Sequence, residues 1–325
     1  MRILILGGGG MIGRKLAERL ARDGRLGGRE IARLTLHDLV PPPPVAAPFP
    51  VAAAVSDFAR TGEAERLIAD RPDVIVHLAA VVSGEAEADF ETGDRVNLDG
   101  TRSLFDAVRR ADGYTPRVVF ASSIAVFGAP FPDAIGDEFA LTPLTSYGTQ
   151  KAVGELLLAD YTRRGFFDGV GVRLPTICVR PGRPNKAASG FFSSIIREPL
   201  NGEEAVLPVP DGVRHPFASP RSAVGFLVHA ATIAGDRLGP RRNLTMPSVS
   251  VTVAEQIDAL RRVAGERVAA RIRREPDPAV ERIVAGWPQR FDAARATALG
   301  FRAESTFDEL VRIHIDDELG GSFVP

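Results

Sequence analysis

The run Ile3-Leu4-Ile5-Leu6-Gly7-Gly8-Gly9-Gly10-Met11-Ile12-Gly13 sets four apolar residues against glycines spaced G-x-x-G-x-x-G, and Leu16 and Leu20 follow on one helical face. It reads as a buried strand turning directly into a helix. Each glycine has its own task in such a turn: Gly7 permits the tight bend, Gly10 lets backbone approach a pyrophosphate, and Gly13 lets helix and strand pack closely. The first helical turn, with Met11 and Ile12, carries unpaired N–H groups and a dipole that favours an anion. The strand before and the helix after are what separate this pattern from a merely flexible glycine turn, so a dinucleotide is the expected ligand of Gly7, Gly10, Met11, Ile12 and Gly13.

Working outward, the apolar runs Leu34–Leu36, Val51–Val55, Val74–Leu78, Val118–Ala121 and Val170–Leu174 alternate with helix-length amphipathic segments. That rhythm predicts a doubly wound α/β (Rossmann) parallel sheet, with ligands outside the carboxyl ends of the strands. Pro41–Pro50 holds six prolines and reads as an exposed loop after the second strand. After Leu174 the rhythm breaks, and a smaller C-terminal α/β lobe is expected to take the substrate. The predicted division gives 1–176 to the nucleotide-binding domain, with 220–247 returning to it, and 177–219 plus 248–325 to the substrate lobe. Ser222–Ala234, Val253–Ala264 and Ala279–Val284 read as helices, Asn243–Met246 as a short strand, and the stretch through Pro220 as loop.

A dinucleotide site calls for an acidic residue at the end of the second strand to hold the adenosine ribose. Asp38 closes Leu34-Thr35-Leu36-His37-Asp38. A carboxylate there repels a 2′-phosphate and favours NAD over NADP, whereas a solvated Asp38 beside Arg33 and His37 would leave a cation pocket.

Ser146-Tyr147-Gly148-Thr149-Gln150-Lys151 opens a helical pattern in which Tyr147 and Lys151 share a face. An ammonium near the phenol favours the phenolate and would pull the tyrosine below its ordinary pKa of about 10, making Tyr147 an acid/base. Phe120-Ala121-Ser122-Ser123, at another strand end, offers hydroxyls to the reacting oxygen. After a nucleotide loop, such a Tyr-x-x-x-Lys pair points to catalysis.

These motifs together resemble the extended short-chain dehydrogenase/reductases, a family of sugar epimerases, dehydratases and dehydrogenases, over nearly the whole chain. The resemblance implies that Tyr147 transfers the proton, that Lys151 activates it and anchors the nicotinamide ribose, and that Ser123 is the hydroxyl partner. It further implies that Asp57 meets the adenine, that Leu78, Ala79 and Ala80 line the cofactor, and that Asn97 supports the active-site strand; Pro175 and Thr176 complete the cofactor-binding set. Leu6 and Phe127 stand where the family usually has Thr and Tyr. Stretches in the second half, among them Arg173-Leu174-Pro175-Thr176-Ile177-Cys178-Val179-Arg180, resemble dehydrogenases of short sugar acids, although Pro216-Phe217 replaces the usual Trp-His after Arg214-His215. An acid substrate needs a cation near the reacting carbon: Arg180, Arg183, Lys186 and Arg214 are the candidates, with Ser83, Ser189 and His215 for hydroxyls. Homo-oligomers are usual in the family, often through the helix bearing Tyr147, while Leu156–Leu158 serve equally well as monomer core.

Composition narrows the alternatives. The 325 residues are 45% hydrophobic and 25% charged, with 40 basic against 41 acidic residues and a net charge of −1, which excludes a disordered chain and gives no footprint for nucleic acid. A single cysteine and five scattered histidines provide no disulfide and no metal-ligand spacing. No stretch reaches a membrane span, and a cytoplasmic protein is expected. His77, Cys178, Trp287 and Phe191-Phe192 read as core. The leading expectation is an NAD-dependent dehydrogenase of a short sugar acid; a nucleotide-sugar epimerase with retained NAD and a non-catalytic NAD-binding sensor are the alternatives.

Overall fold

Successive residues of the first strand face two different cores, which is why its apolar run is unbroken. In β1 (Arg2–Leu6) Ile3 and Ile5 pack on one face of the sheet and Leu4 and Leu6 on the other, the double burial that crossover helices impose. The structure, a computed structural model, describes residues 1–182 and 189–325. After β1 come α1 (Met11–Asp23), β2 (Arg33–Asp38), β3 (Val51–Val55), β4 (Val74–His77), α2 (Ser83–Ala88), α3 (Thr101–Arg110), β5 (Arg117–Ser123), α4 (Ser146–Arg163) and β6 (Asp168–Leu174). Then follow β7 (Thr176–Ile177), α5 (Gly190–Leu200), β8 (Arg214–Ala218), α6 (Pro220–Thr232), β9 (Asn243–Thr245), β10 (Val249–Thr252), α7 (Val253–Ala264), α8 (Pro278–Ala285) and α9 (Phe307–Glu318).

Seven strands form one parallel sheet in the order β9-β6-β5-β4-β1-β2-β3. This is the expected doubly wound α/β architecture, and the strand order reverses between β1 and β4, where such sheets open a crevice. Leu16, Leu20, Phe226 and Leu227, from α1 and α6, cover one face; Phe105 and Leu158, from α3 and α4, cover the other. Leu158 is therefore core, while Leu156 is 64% exposed. A separate core is built from α5, α7 and α9, with Phe192, Ile257, Leu260 and Leu310 at its centre.

The stretch before Pro220, read as loop, contains a strand. β8 runs antiparallel to β10 and parallel to β7. Pro216 has no N–H to give, and pairing with β7 begins only at Phe217, so the proline falls where no ladder partner stands on that side. No helix among the described residues is long and apolar enough to cross a membrane.

Candidate active site

At the end of β1 the chain turns at Gly7, with φ 85°. A Cβ there would stand 2.8 Å from the Ala79 nitrogen, and a Cβ on Gly13 would run into the Gly7 carbonyl oxygen. No side chain caps α1 at Gly10, so the N–H groups of Met11, Ile12 and Gly13 remain for a ligand. Asp38 closes β2 with its carboxylate against this loop, Oδ2 accepting from Gly9 N at 2.8 Å and Oδ1 from Leu39 N at 2.7 Å. Asp57 accepts from Ala59 N at 3.0 Å and pairs with Arg95 at 2.6 Å. These residues fit NAD: a glycine cradle that any side chain would fill, an uncapped helix end, and a carboxylate where the ribose hydroxyls belong.

Leu78 N donates to the Leu6 carbonyl at 2.9 Å, laying Leu78-Ala79-Ala80 across the end of β1. Asn97 is buried and spends its amide internally: Oδ1 accepts from Val81 N at 2.8 Å, and Nδ2 donates to Val81 O at 3.0 Å and Gln150 Oε1 at 2.8 Å. It braces the segment after β4 and offers no free polar atom to a cofactor.

Beyond the crevice lies a cavity of about 630 Å³. Ile12, Leu78, Ala80 and Pro175 line it, together with Ser123, Tyr147 and Lys151 at what we call its floor. Local structure explains the floor. Thr145 caps α4 by accepting from Gly148 N at 3.0 Å, and a Cβ on Gly148 would run into the Ala125 carbonyl, so the start of α4 sits directly on the turn after Ser123. Lys151 is buried to 3% exposure and donates to Ala121 O at 2.9 Å, with Nζ 5.7 Å from the centre of the Tyr147 ring.

The electrostatics differ from the simple expectation. Burial pushes the Tyr147 phenol above its ordinary value, against the smaller pull of its hydrogen bond with Ser123 and of the Arg180 charge. Burial outweighs any pull from Lys151, whose ammonium, needing a partner in the interior, takes the Ala121 carbonyl. Burial draws Lys151 itself down to about 8, with Glu155 opposing.

The substrate-side candidates divide. Arg180, Ser189, Ser83, Thr176 and His215 all line the cavity. Arg180 is tied by Nε to Ile177 O at 3.0 Å and by Nη2 to Ser189 Oγ at 3.2 Å, and among the described residues no carboxylate pairs with it. His215 shares a hydrogen with Thr176 Oγ1 through Nε2 at 2.6 Å and stacks on Phe192 at 5.1 Å and 6°. Since burial pushes it down to about 3, against the pull of the Pro288 backbone, the ring is neutral and carries one N–H and one acceptor nitrogen. Arg214 points elsewhere: it meets Ser250 O at 2.9 Å and Glu255 at 3.1 Å, off the cavity wall, because alternation along β8 turns it opposite to His215. Arg183 and Lys186 lie outside the described residues.

Other wall residues escaped the sequence reading. Trp287, read as core, lines the cavity with Ile283 and Pro288, its ring 5.3 Å from that of His215. Nothing local marks it, since only tertiary contact brings residues past 280 to the sheet. Glu87 also reaches the wall, its Oε2 accepting from Ser146 N at 3.0 Å.

Comparison with known proteins adds the family. Residues 3–218 match the NAD dependent epimerase/dehydratase family. The chain is 48% identical over 321 residues to D-erythronate dehydrogenase of Cupriavidus necator, covering 98% of both. It is 40% identical over 319 residues to that of Haemophilus influenzae, covering 98% of this chain and 100% of the relative. A crystal structure from Agrobacterium tumefaciens, described as a nucleoside-diphosphate-sugar epimerase, is 62% identical with a TM-score of 0.96, over 99% of this chain and 95% of that one. With a parallel sheet, a glycine cradle and a matching model over two thirds of its length, this chain belongs to the NAD dependent epimerase/dehydratase family, and NAD is its cofactor.

Proposed function

We propose that the chain oxidises the C2 hydroxyl of a short sugar acid, D-erythronate, to the 2-oxo acid. The observation that carries this reading is a half-buried guanidinium, Arg180, without a carboxylate partner among the described residues, in the same cavity as Tyr147 and Ser123. A cation partly withdrawn from water and unpaired gains from a ligand that supplies its counter-charge. The carboxylate at C1 would supply it, and the adjacent C2 hydroxyl would then reach Tyr147.

Gly7, Gly10, Met11, Ile12, Gly13 and Asp38 would hold the adenosine and pyrophosphate of NAD, with Leu78, Ala80, Pro175 and Thr176 toward its nicotinamide. NAD, when bound, supplies the acceptor for the hydride that leaves C2. Tyr147, as phenolate, takes the hydroxyl proton; Ser123 donates to the oxygen that becomes a carbonyl; Lys151 keeps a positive charge beneath the phenolate. Arg180 holds the carboxylate in a planar fork, and Ser83, Ser189 and Thr176 meet the remaining hydroxyls. In this reading 1–176 with 220–247 serves the cofactor and 177–219 with 248–325 the substrate, in the cytoplasm. Leu156, exposed on α4, would pack against a second copy in a homo-oligomer, which light scattering on the purified protein decides.

The 62% identity to a protein described as a nucleoside-diphosphate-sugar epimerase favours a second reading, in which the same Tyr147 and Lys151 act and the hydride is returned. NADH formation from D-erythronate, its stereoisomers, hexuronates and UDP-sugars separates them. Net NADH from D-erythronate alone is the expected result. Inversion of a UDP-sugar without NADH release would replace the first reading with the second.

A further inference from the structure

Behind the strand that carries Ser123 lies a charge that the proposed chemistry does not itself call for. Glu155, on α4, has no exposed surface. Its carboxylate accepts from Arg173 on β6, Nε at 2.9 and 3.1 Å and Nη2 at 2.7 Å, and from Ser122 Oγ on β5 at 2.5 Å. The Glu155 carbonyl is held by Asn243 Nδ2 on β9 at 3.1 Å. Arg173 lies 5.1 Å from the centre of the Phe127 ring. Four elements thus converge on one residue.

Stability is a poor explanation for such a pair, because replacing a buried ion pair with apolar groups of similar size is often neutral or stabilising. Position distinguishes it. Glu155 stands one helical turn beyond Lys151 on the same face of α4, and its partner Ser122 precedes Ser123. Lys151 is enclosed by Tyr147 and Glu155 from its own helix, by the Phe120 ring at 4.9 Å and the Ala121 carbonyl from β5, and by His77, a buried neutral ring, from β4; Arg173 of β6 lies behind Glu155. Among the described residues Glu155 is the negative charge whose field favours the ammonium, while burial draws it the other way. Were the carboxylate neutral, Arg173 would face the same region uncompensated.

We propose that Glu155 is a positioning residue for the reaction, the fixed counter-ion that keeps Lys151 charged beneath Tyr147, with Arg173 and Ser122 determining where that counter-ion stands. The proposal rests on the reading of Tyr147 and Lys151 given above. It adds a second tier to the site. Lys151 holds the phenolate, and Glu155 holds the charge of Lys151.

The test is kcat for NADH formation from D-erythronate against pH, in the full-length protein saturated with NAD, for the wild type, Glu155→Gln, Glu155→Asp and the double variant Glu155→Gln with Arg173→Met. In the wild type the rate climbs with pH as the phenol deprotonates and flattens near 8, where the ammonium begins to be lost. A close opposite charge is worth about one to three pH units. In Glu155→Gln the break therefore moves down by about one unit or more, and the plateau falls about tenfold or more; in the double variant, which also removes the Arg173 charge, both move the same way but less. Glu155→Asp keeps the charge and holds the break near its original pH. The double variant leaves no charge uncompensated, so its fold is preserved where the single change perturbs it. Rates scaled down equally at every pH, with the break unmoved in both Gln-containing variants, overturn the proposal. Wild-type turnover by Tyr147→Phe or Lys151→Met would instead overturn the reading beneath it, whatever the Glu155 variants do.

Discussion

Replacing Arg180 with methionine should convert a preference for acids into indifference. The guanidinium is fixed on one side by Ile177 O and Ser189 Oγ, which leaves its outer N–H groups for a carboxylate. Two charge-assisted hydrogen bonds in a desolvated site contribute about 3–5 kcal/mol, which at 1.4 kcal/mol per tenfold corresponds to a loss of roughly 10²- to 10⁴-fold in kcat/KM for D-erythronate. Arg180→Lys restores a point charge without the fork and should recover only part of it. The assay compares D-erythronate with its uncharged amide in both proteins. Wild type should favour the acid strongly; Arg180→Met should treat the two alike. A control measurement follows: because no described carboxylate pairs with Arg180, its removal relieves a half-buried, unpaired charge, and Tm should stay level or rise. An unchanged preference for the acid over the amide in Arg180→Met would refute the carboxylate assignment.

Other outcomes follow from the same geometry. Tyr147→Phe keeps the ring and loses the titrating hydroxyl, so turnover should fall about 10²- to 10⁴-fold while NAD affinity, read by fluorescence titration, stays near wild type. Asp38→Ala should lower kcat/KM with NAD about 10- to 100-fold, the value of a charge-assisted hydrogen bond, and narrow the gap to NADP; higher kcat/KM with NADP in the wild type would show that the carboxylate faces elsewhere. Oxidation needs the Tyr147 phenolate, and burial raises its pKa, so the rate should climb about tenfold per unit from acid pH and lose that slope near 8 as Lys151 gives up its proton. A profile that is flat below neutral pH would remove the phenolate from the rate.

The sheet was legible because its strands are buried on both faces. Ile3, Leu4, Ile5 and Leu6 have no polar alternation, and a glycine turn follows at once, so strand, turn and helix are each written locally. Asn243–Met246 could be read as a short strand from Leu244 and Met246, and Asn243–Thr245 pairs with β6 at Gly171–Arg173. β8 was not, since Pro216 and the preceding charged residues look like loop until β10 and β7 are placed beside them. The floor of the cavity came from four-residue spacing on α4, which is local; its far wall, Trp287 and Pro288, depends on a long-range fold that no periodicity encodes. Glu155 and Arg173 are the sharpest case. A glutamate in a helix and an arginine in a strand read as solvent-facing, and only the stacking of β5, β6 and α4 shows each to be the other's partner.

The neutral ring of His215 has one further consequence. It owns a single N–H, and its Nε2 shares one hydrogen with the Thr176 hydroxyl, so what Thr176 shows the cavity is decided by the ring's tautomer. With the ring hydrogen on Nδ1, Nε2 takes the hydroxyl hydrogen and Thr176 turns lone pairs to the cavity; with it on Nε2, Thr176 keeps a hydrogen to donate. Arg180, lining the same cavity, offers only hydrogens. In the first tautomer a carboxylate is turned away at Thr176 and welcomed at Arg180, and a hydroxy acid has one preferred way round. The placement of one buried proton gives the cavity its direction.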